Sequence, residues 1–306
     1  MIEEELGLVE QALQEAVASD VSLLANAGRL VIGSGGKRLR PKMLLLAYRA
    51  AGGREAGRAI PLAAAVELIH TASLIHDDIN DHSAVRRGEV TVNARWGDGL
   101  ALLAGDFVFT RLLKLIAAFD TRVLQVLADA CIALVEGETL QMLSLGDTRM
   151  TEDRYLRIVS QKTGALFAAC AALGGLLAGG SEQQVSALRD YGSHLGMAFQ
   201  IRDDTLDLVS TRDKLGKPVA QDLQHGTMSL VILHAVQHSE RAAALVSAQD
   251  VEGARQLLQE TGSIAYAMRV ATTYAGLARM ALSALPPSEA RAALEELADF
   301  ALARSQ

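Results

Sequence analysis

The sequence predicts an all-α protein, a single large helical bundle around a central active-site cavity. Three observations carry this. Apolar residues recur at three- and four-residue spacing through long Ala, Leu, Glu and Arg-rich segments, alternating strand patterns are almost absent, and Gly and Asp mark short breaks between the segments. No linker, repeat period or low-complexity tract divides the chain, so one domain over residues 1–306 is expected.

Taken in order, residues 1–17 (MIEEELGLVEQALQEAV) are acidic and amphipathic. They read as a first helix and lack the basic start and apolar centre of a signal peptide. Breaks at Gly33–Gly36 and Gly52–Gly53 precede a helix over Pro61–Asp81. Further helices are expected over Leu100–Phe119, Val123–Leu145 and Ser186–Val209, with breaks at Gly146–Asp147 and Gly179–Gly180. Thr163–Ser181 carries no charge and approaches the length of a membrane span. Its Ala and Gly content, with Lys162 just before it, identifies a helix buried within a bundle, so no transmembrane anchor is expected.

Half of the 306 residues are hydrophobic, enough for a substantial core. A net charge of -7 without a long basic run excludes nucleic acid as the main partner, because phosphate-backbone binding needs a positive surface. Cys131 and Cys170 lie in apolar helical surroundings without metal-ligand spacing. They read as reduced core thiols of a cytoplasmic protein.

An aspartate cluster occurs twice: Asp77, Asp78 and Asp81 in HDDIND, and Asp203, Asp204 and Asp207 in RDDTLD. On a helix, positions i and i+4 share a face, so Asp77 stands above Asp81 and Asp203 above Asp207. Like charges so placed repel. Two such helices facing each other require a multivalent cation, and Mg²⁺ prefers carboxylate oxygens supplemented by water and substrate phosphate. Neither cluster has the alternating ligands and central Gly of an EF-hand loop. Basic residues stand in small groups, GGKRLRP at Gly35–Pro41, RRG at Arg86–Gly88, KTG at Lys162–Gly164 and LGKP at Leu215–Pro218. Arg offers phosphate a planar fork and Lys a mobile point charge. The combination points to a metal-bridged diphosphate.

With GGKRLRP, ELIHTASLIHDDINDHSAVRRG, LAGDFVF, GETLQ, KTGALF, FQIRDDTLD and LGKPVAQDL in this order, the chain resembles the trans-isoprenyl diphosphate synthases, or polyprenyl synthetases, over nearly its whole length. The resemblance implies an isoprenoid-synthase bundle, usually a homodimer, in which the six aspartates hold three Mg²⁺ ions. It implies that Lys37, Arg40, His70 and Arg87 bind isopentenyl diphosphate. Arg86, Lys162 and Lys217, with Thr163 and Gln200, would then grip the allylic diphosphate. After the second motif the chain departs from the family pattern at Gly226–Val231 (GTMSLV), which argues against a phosphate contact at Thr227.

The expected reaction is elongation: the allylic diphosphate ionises, isopentenyl diphosphate attacks through its double bond, and proton loss leaves a product one isoprene unit longer. A cyclase would use aromatic faces to guide cations, and this chain is 4% aromatic with one Trp. Product length is read from the helix before Asp77. Ala72 and Ser73, five and four residues earlier, are small, and Ile69, Leu68, Ala65 and Ala64 continue the wall for roughly 20 Å. A long-chain product is expected. A short-chain farnesyl or geranylgeranyl diphosphate synthase, with a floor from Phe109 or Phe167, is the alternative, and a non-catalytic regulatory subunit is the alternative of another class.

Overall fold

The computed structural model describes residues 2–209, 223, 225–248 and 250–303. The chain packs as two compact units, one of Met1–Leu127, Cys170–Ser186 and Leu285–Ala292, the other of Ala128–Ala169, Ala187–Ala284 and Ala293–Gln306.

The first unit contains α1 (Glu3–Ala16), α2 (Ser22–Gly33), α3 (Leu39–Ala50), α4 (Ala59–Asn80), α5 (Val92–Trp96) and α6 (Asp98–Ile116), and the start of α7 (Thr121–Met142). Its centre is α4, which packs against α1, α3 and α6. Leu62, Ala63, Ala64, Ala65 and Val66 are buried in succession, so α4 is covered on every side there, as a core helix must be when its apolar residues run all round. The Ala-rich face lets neighbouring helices approach closely. Among the described residues, Ala56–Asn80 is long and apolar enough to cross a membrane, but 67% of its most apolar window is buried inside the protein. That property belongs to α4 rather than to Thr163–Ser181, the segment the sequence brought forward.

Between α4 and α5 lies a two-stranded antiparallel hairpin, β1 (Val85–Arg86) and β2 (Glu89–Val90), with Arg86 opposite Glu89. Its two turn residues, Arg87 and Gly88, have φ of 55° and 82°. Positive φ at both positions is the mark of a type I′ turn, whose twist matches the paired strands. This turn was not legible in the sequence.

The second unit holds the rest of α7, then α8 (Glu152–Val159), a π-helical turn (Ser160–Gly164), the start of α9 (Ala165–Leu177), most of α10 (Glu182–Val209), and α11 (Leu230–His238), α12 (Glu240–Ser247), α13 (Val251–Glu260), α14 (Ser263–Ala281) and most of α15 (Glu289–Leu302). Thr151 caps α8 by accepting from Arg154 N at 3.2 Å, with Glu152 and Asp153 in the first turn to complement the helix dipole. Tyr155, Ile158, Met197, Ile201 and Leu208 form a core with Leu230–Leu233 and Ala267. The two cysteines are free thiols, which burial pushes up to about 11 at Cys131 and about 12 at Cys170, so neither is primed for reaction.

Candidate active site

The first aspartate motif closes α4. Asp77 and Asp78 lie in its last turn and Asp81 caps it, giving its N–H to Asp77 O at 2.8 Å. A helix C-terminus carries partial negative charge, so three carboxylates there are unfavourable until a cation joins them. Arg86 supplies part of that charge: its Nε donates to Asp78 Oδ1 at 2.7 Å. Burial raises the Asp78 carboxyl above its usual range, Arg86 pulls it back, and Asp81 pushes it up again. Asn93 secures the turn by donating to Asp78 O and Ser83 O at 3.1 and 3.2 Å.

Upstream on α4, His70, Ser73, Leu74 and Asp77 follow one another at three- and four-residue spacing and are only half-buried, while their neighbours Ile69, Thr71, Ala72 and Ile75 are buried. They form the accessible stripe of this core helix. His70 sits in a ring of positive charge. Burial, and then Arg40, Arg87, Arg86 and Arg38, hold its imidazole well below the usual range, so it is neutral and can donate one N–H to a phosphate oxygen. Arg87, in the left-handed region, donates to Gly35 O. A Cβ at Gly36 would lie 2.8 Å from the Arg87 guanidinium, so glycine there makes room for that arginine. The first unit therefore brings Arg40, His70, Arg86 and Arg87 together beside the first motif.

In the second unit, Asp203, Asp204 and Asp207 lie in the last two turns of α10. Asp203 is exposed, with Arg202 Nη1 3.5 Å from its Oδ1, and Asp207 is buried. Asp204 is held from both sides. Tyr155 Oη donates to Oδ2 at 2.6 Å and Gln200 Nε2 donates to Oδ1 at 2.7 Å. Thr163 Oγ1 in turn donates to Gln200 Oε1 at 2.9 Å. Burial, opposed by the Tyr155 and Gln200 hydrogen bonds and aided by Asp203 and Asp207, pushes the Asp204 carboxyl up to about 6. Lys162 and Thr163 belong to the π-helical turn, a wide turn that is frequent at functional sites. Lys162 pairs there with Glu138 of α7. A Cβ at Gly137 would meet the Lys162 backbone nitrogen at 2.5 Å, so α7 touches this turn only because residue 137 is glycine.

Each unit thus assembles its own share of the residues named from the sequence. Lys37 is exposed at the mouth of the GGKRLR turn. Lys217 lies outside the described residues. Of the chain-length positions, Ser73 is on the open stripe and donates to His70 O at 2.9 Å, whereas Ala72, Ile69, Leu68 and Ala65 are no more than 3% exposed. Phe167 is buried 5.8 Å from Phe199, and Phe109 is exposed. Sequence reasoning missed Tyr155, Glu138 and Leu74. The i, i+4 spacing of Leu74 from His70 and the place of Glu138 in the GETLQ motif were the signals available for two of them.

The donor set fits a divalent cation. All six acids are hard oxygen donors, and burial, with repulsion from neighbouring acids added to it, raises Asp78 and Asp204. Among the described residues no three acids, imidazoles or thiols stand close enough to hold a metal by themselves. Hard divalent cations take carboxylate oxygens together with water.

Residues 21–261 match the family model described as polyprenyl synthetase. The chain is 38% identical over 308 residues to an octaprenyl diphosphate synthase of Escherichia coli, covering 97% of this chain and 95% of that protein. It is also 38% identical to a short chain isoprenyl diphosphate synthase of Methanothermobacter thermautotrophicus, again over 97% and 95%. A crystal structure of a polyprenyl synthase from Caulobacter crescentus, complexed with calcium and isoprenyl diphosphate, superposes with a TM-score of 0.94 at 37% identity, covering 99% of this chain and 95% of that one. With its paired aspartate motifs and all-α isoprenoid-synthase fold, this chain belongs to the polyprenyl synthetase family of prenyltransferases.

Proposed function

We propose that the chain is a Mg²⁺-dependent all-trans polyprenyl diphosphate synthase whose products reach about six to ten isoprene units along the α4 wall. The observation that supports a long product is the open stripe of α4, where the residue four before Asp77 is the small Ser73. The resemblance of equal strength to a short-chain enzyme keeps that product class as the second reading.

When bound, Mg²⁺ supplies Lewis-acid stabilisation of the charge on the leaving diphosphate. The aspartates of both motifs would hold the ions, three in number with substrate present. Lys162, Arg86 and Lys217 bind the allylic diphosphate oxygens, and the Thr163–Gln200 pair orients that grip. Lys37, Arg40, Arg87 and neutral His70 bind isopentenyl diphosphate with its double bond facing the allylic carbon. As the allylic C–O bond breaks, the fixed cations stabilise the departing diphosphate, and the new C–C bond forms without a protein nucleophile. The proton lost from the isopentenyl unit passes to that diphosphate.

We further propose one catalytic domain over residues 1–306, supported by a family match that runs continuously through both compact units. A homodimer is supported by exposed apolar residues on α6 (Leu102, Leu103, Leu113) and α7 (Ile132, Val135, Met142), and a cytoplasmic enzyme by its free thiols. Incubation of the purified chain with Mg²⁺, labelled isopentenyl diphosphate and allylic primers of increasing length tests the reading. Chain-length analysis of dephosphorylated products should give the long series. Accumulation at three or four units would establish the short-chain reading, and no metal-dependent product would sink both. Size exclusion with light scattering tests the dimer.

A further inference from the structure

GGKRLR places three cations, Lys37, Arg38 and Arg40, within four positions, and phosphate chemistry could use all of them. The geometry separates Arg38 from the other two. Its guanidinium donates from Nε to Glu10 Oε2 at 3.0 Å, from Nη2 to Glu10 Oε1 at 3.2 Å and to Ile32 O at 2.8 Å, and from Nη1 to Glu67 Oε1 at 3.1 Å. Four of its five N–H bonds are therefore spent inside the protein. The side chain is 16% exposed and that of Glu67 only 5%. The backbone of Arg38 is left-handed, with φ of 45°, a conformation that a non-glycine residue keeps only where its surroundings over-determine it. Arg38 is also the residue from which α3 starts, so its dihedrals set the direction of the first turn, which carries Arg40, and of Lys37 just outside it. Glu67 lies one turn before His70 on α4, and its carboxylate also acts as a counter-charge on Arg40 and Arg87.

We propose that Arg38 is a positioning residue for the isopentenyl diphosphate site: clamped by Glu10 of α1 and Glu67 of α4, it holds Lys37 and Arg40 in binding register without touching the diphosphate. This rests on the reading above that Lys37, Arg40, His70 and Arg87 bind that substrate. It also makes α1 part of the site, because Glu10 supplies the bidentate half of the clamp.

The test compares Arg38→Lys, which keeps the charge and loses the fork, with Glu10→Ala, the double variant, and Arg40→Ala. Steady-state KM is measured for isopentenyl diphosphate and separately for the allylic diphosphate, alongside Tm. Arg38→Lys should raise KM for isopentenyl diphosphate roughly tenfold or more, as expected for misplaced phosphate contacts, and leave the allylic KM unchanged. Glu10→Ala should raise the same KM by a few-fold, and the double variant should be no worse than Arg38→Lys, because both act through one clamp. Equal rises in both KM values, a change in Tm alone, or additive effects in the double variant would overturn the proposal. Should Arg38→Lys fail to fold, Glu10→Ala decides alone, since that side chain is 43% exposed on a surface helix. An unchanged KM in Arg40→Ala would show instead that the substrate site itself is misassigned.

Discussion

The hydroxyl of Tyr155 donates to Asp204 at 2.6 Å, and with Gln200 on the other oxygen it fixes that carboxylate before any ion arrives. Partners of this kind orient a metal ligand and restrict its rotamers. Tyr155→Phe should therefore raise the Mg²⁺ concentration for half-maximal turnover about tenfold. The Mg²⁺-induced rise in Tm, measured without substrate, should shrink in parallel. Unchanged Mg²⁺ dependence by both measures would reduce Tyr155 to a packing residue.

Two half-buried groups give the metal-free protein opposing pH responses. Asp204 titrates at about 6 when folded and about 3.9 when unfolded. Between these values the folded state binds more protons, so the contribution of Asp204 to stability falls as pH rises. His70 is depressed in the fold, so its contribution is present above about 6.5 and lost as pH falls below it. In EDTA, Asp204→Asn should gain Tm relative to the parent as pH rises from about 4 to about 6, and His70→Gln should gain as pH drops below about 6.5. Differences in Tm that do not vary with pH would refute both assignments.

Gly137 tests the π-helical turn. Its missing Cβ gives α7 access to the Lys162 backbone. Gly137→Ala should displace Lys162 from Glu138, raise the allylic KM and destabilise the protein by about 1–3 kcal/mol through overpacking. Steady-state kinetics with chemical denaturation would show it, and wild-type values would mean that the turn tolerates displacement.

Product length separates two neighbouring positions on α4. Ser73→Phe, on the open stripe, should shorten the products without lowering Tm. Ala72→Phe, from a site 2% exposed, should shorten them and also destabilise by about 1–3 kcal/mol. Chromatography of dephosphorylated products with thermal melts distinguishes these outcomes, and an unchanged distribution in both variants would remove α4 from the control of length.

Local pattern carried much of this protein. Helical periodicity located α4 to within two residues at its start and one at its end, since expected Pro61–Asp81 became Ala59–Asn80. The i, i+4 spacing of each aspartate motif was legible because a helix repeats by rule. The Arg87–Gly88 turn was not. Arginine rarely adopts positive φ, and only the pairing of Val85 with Val90 makes that conformation the favourable one.

By itself, the sequence determined the all-α class, the family and the identity of the acids and cations, because these depend on residue type and on spacing along one element. Tertiary structure alone decided their partners. Tyr155 and Asp204 are 49 positions apart, Arg38 and Glu10 are 28, and Arg38 and Glu67 are 29. Whether a buried arginine is a ligand or a clamp depends on which acceptors its guanidinium meets, and packing between distant helices sets that choice.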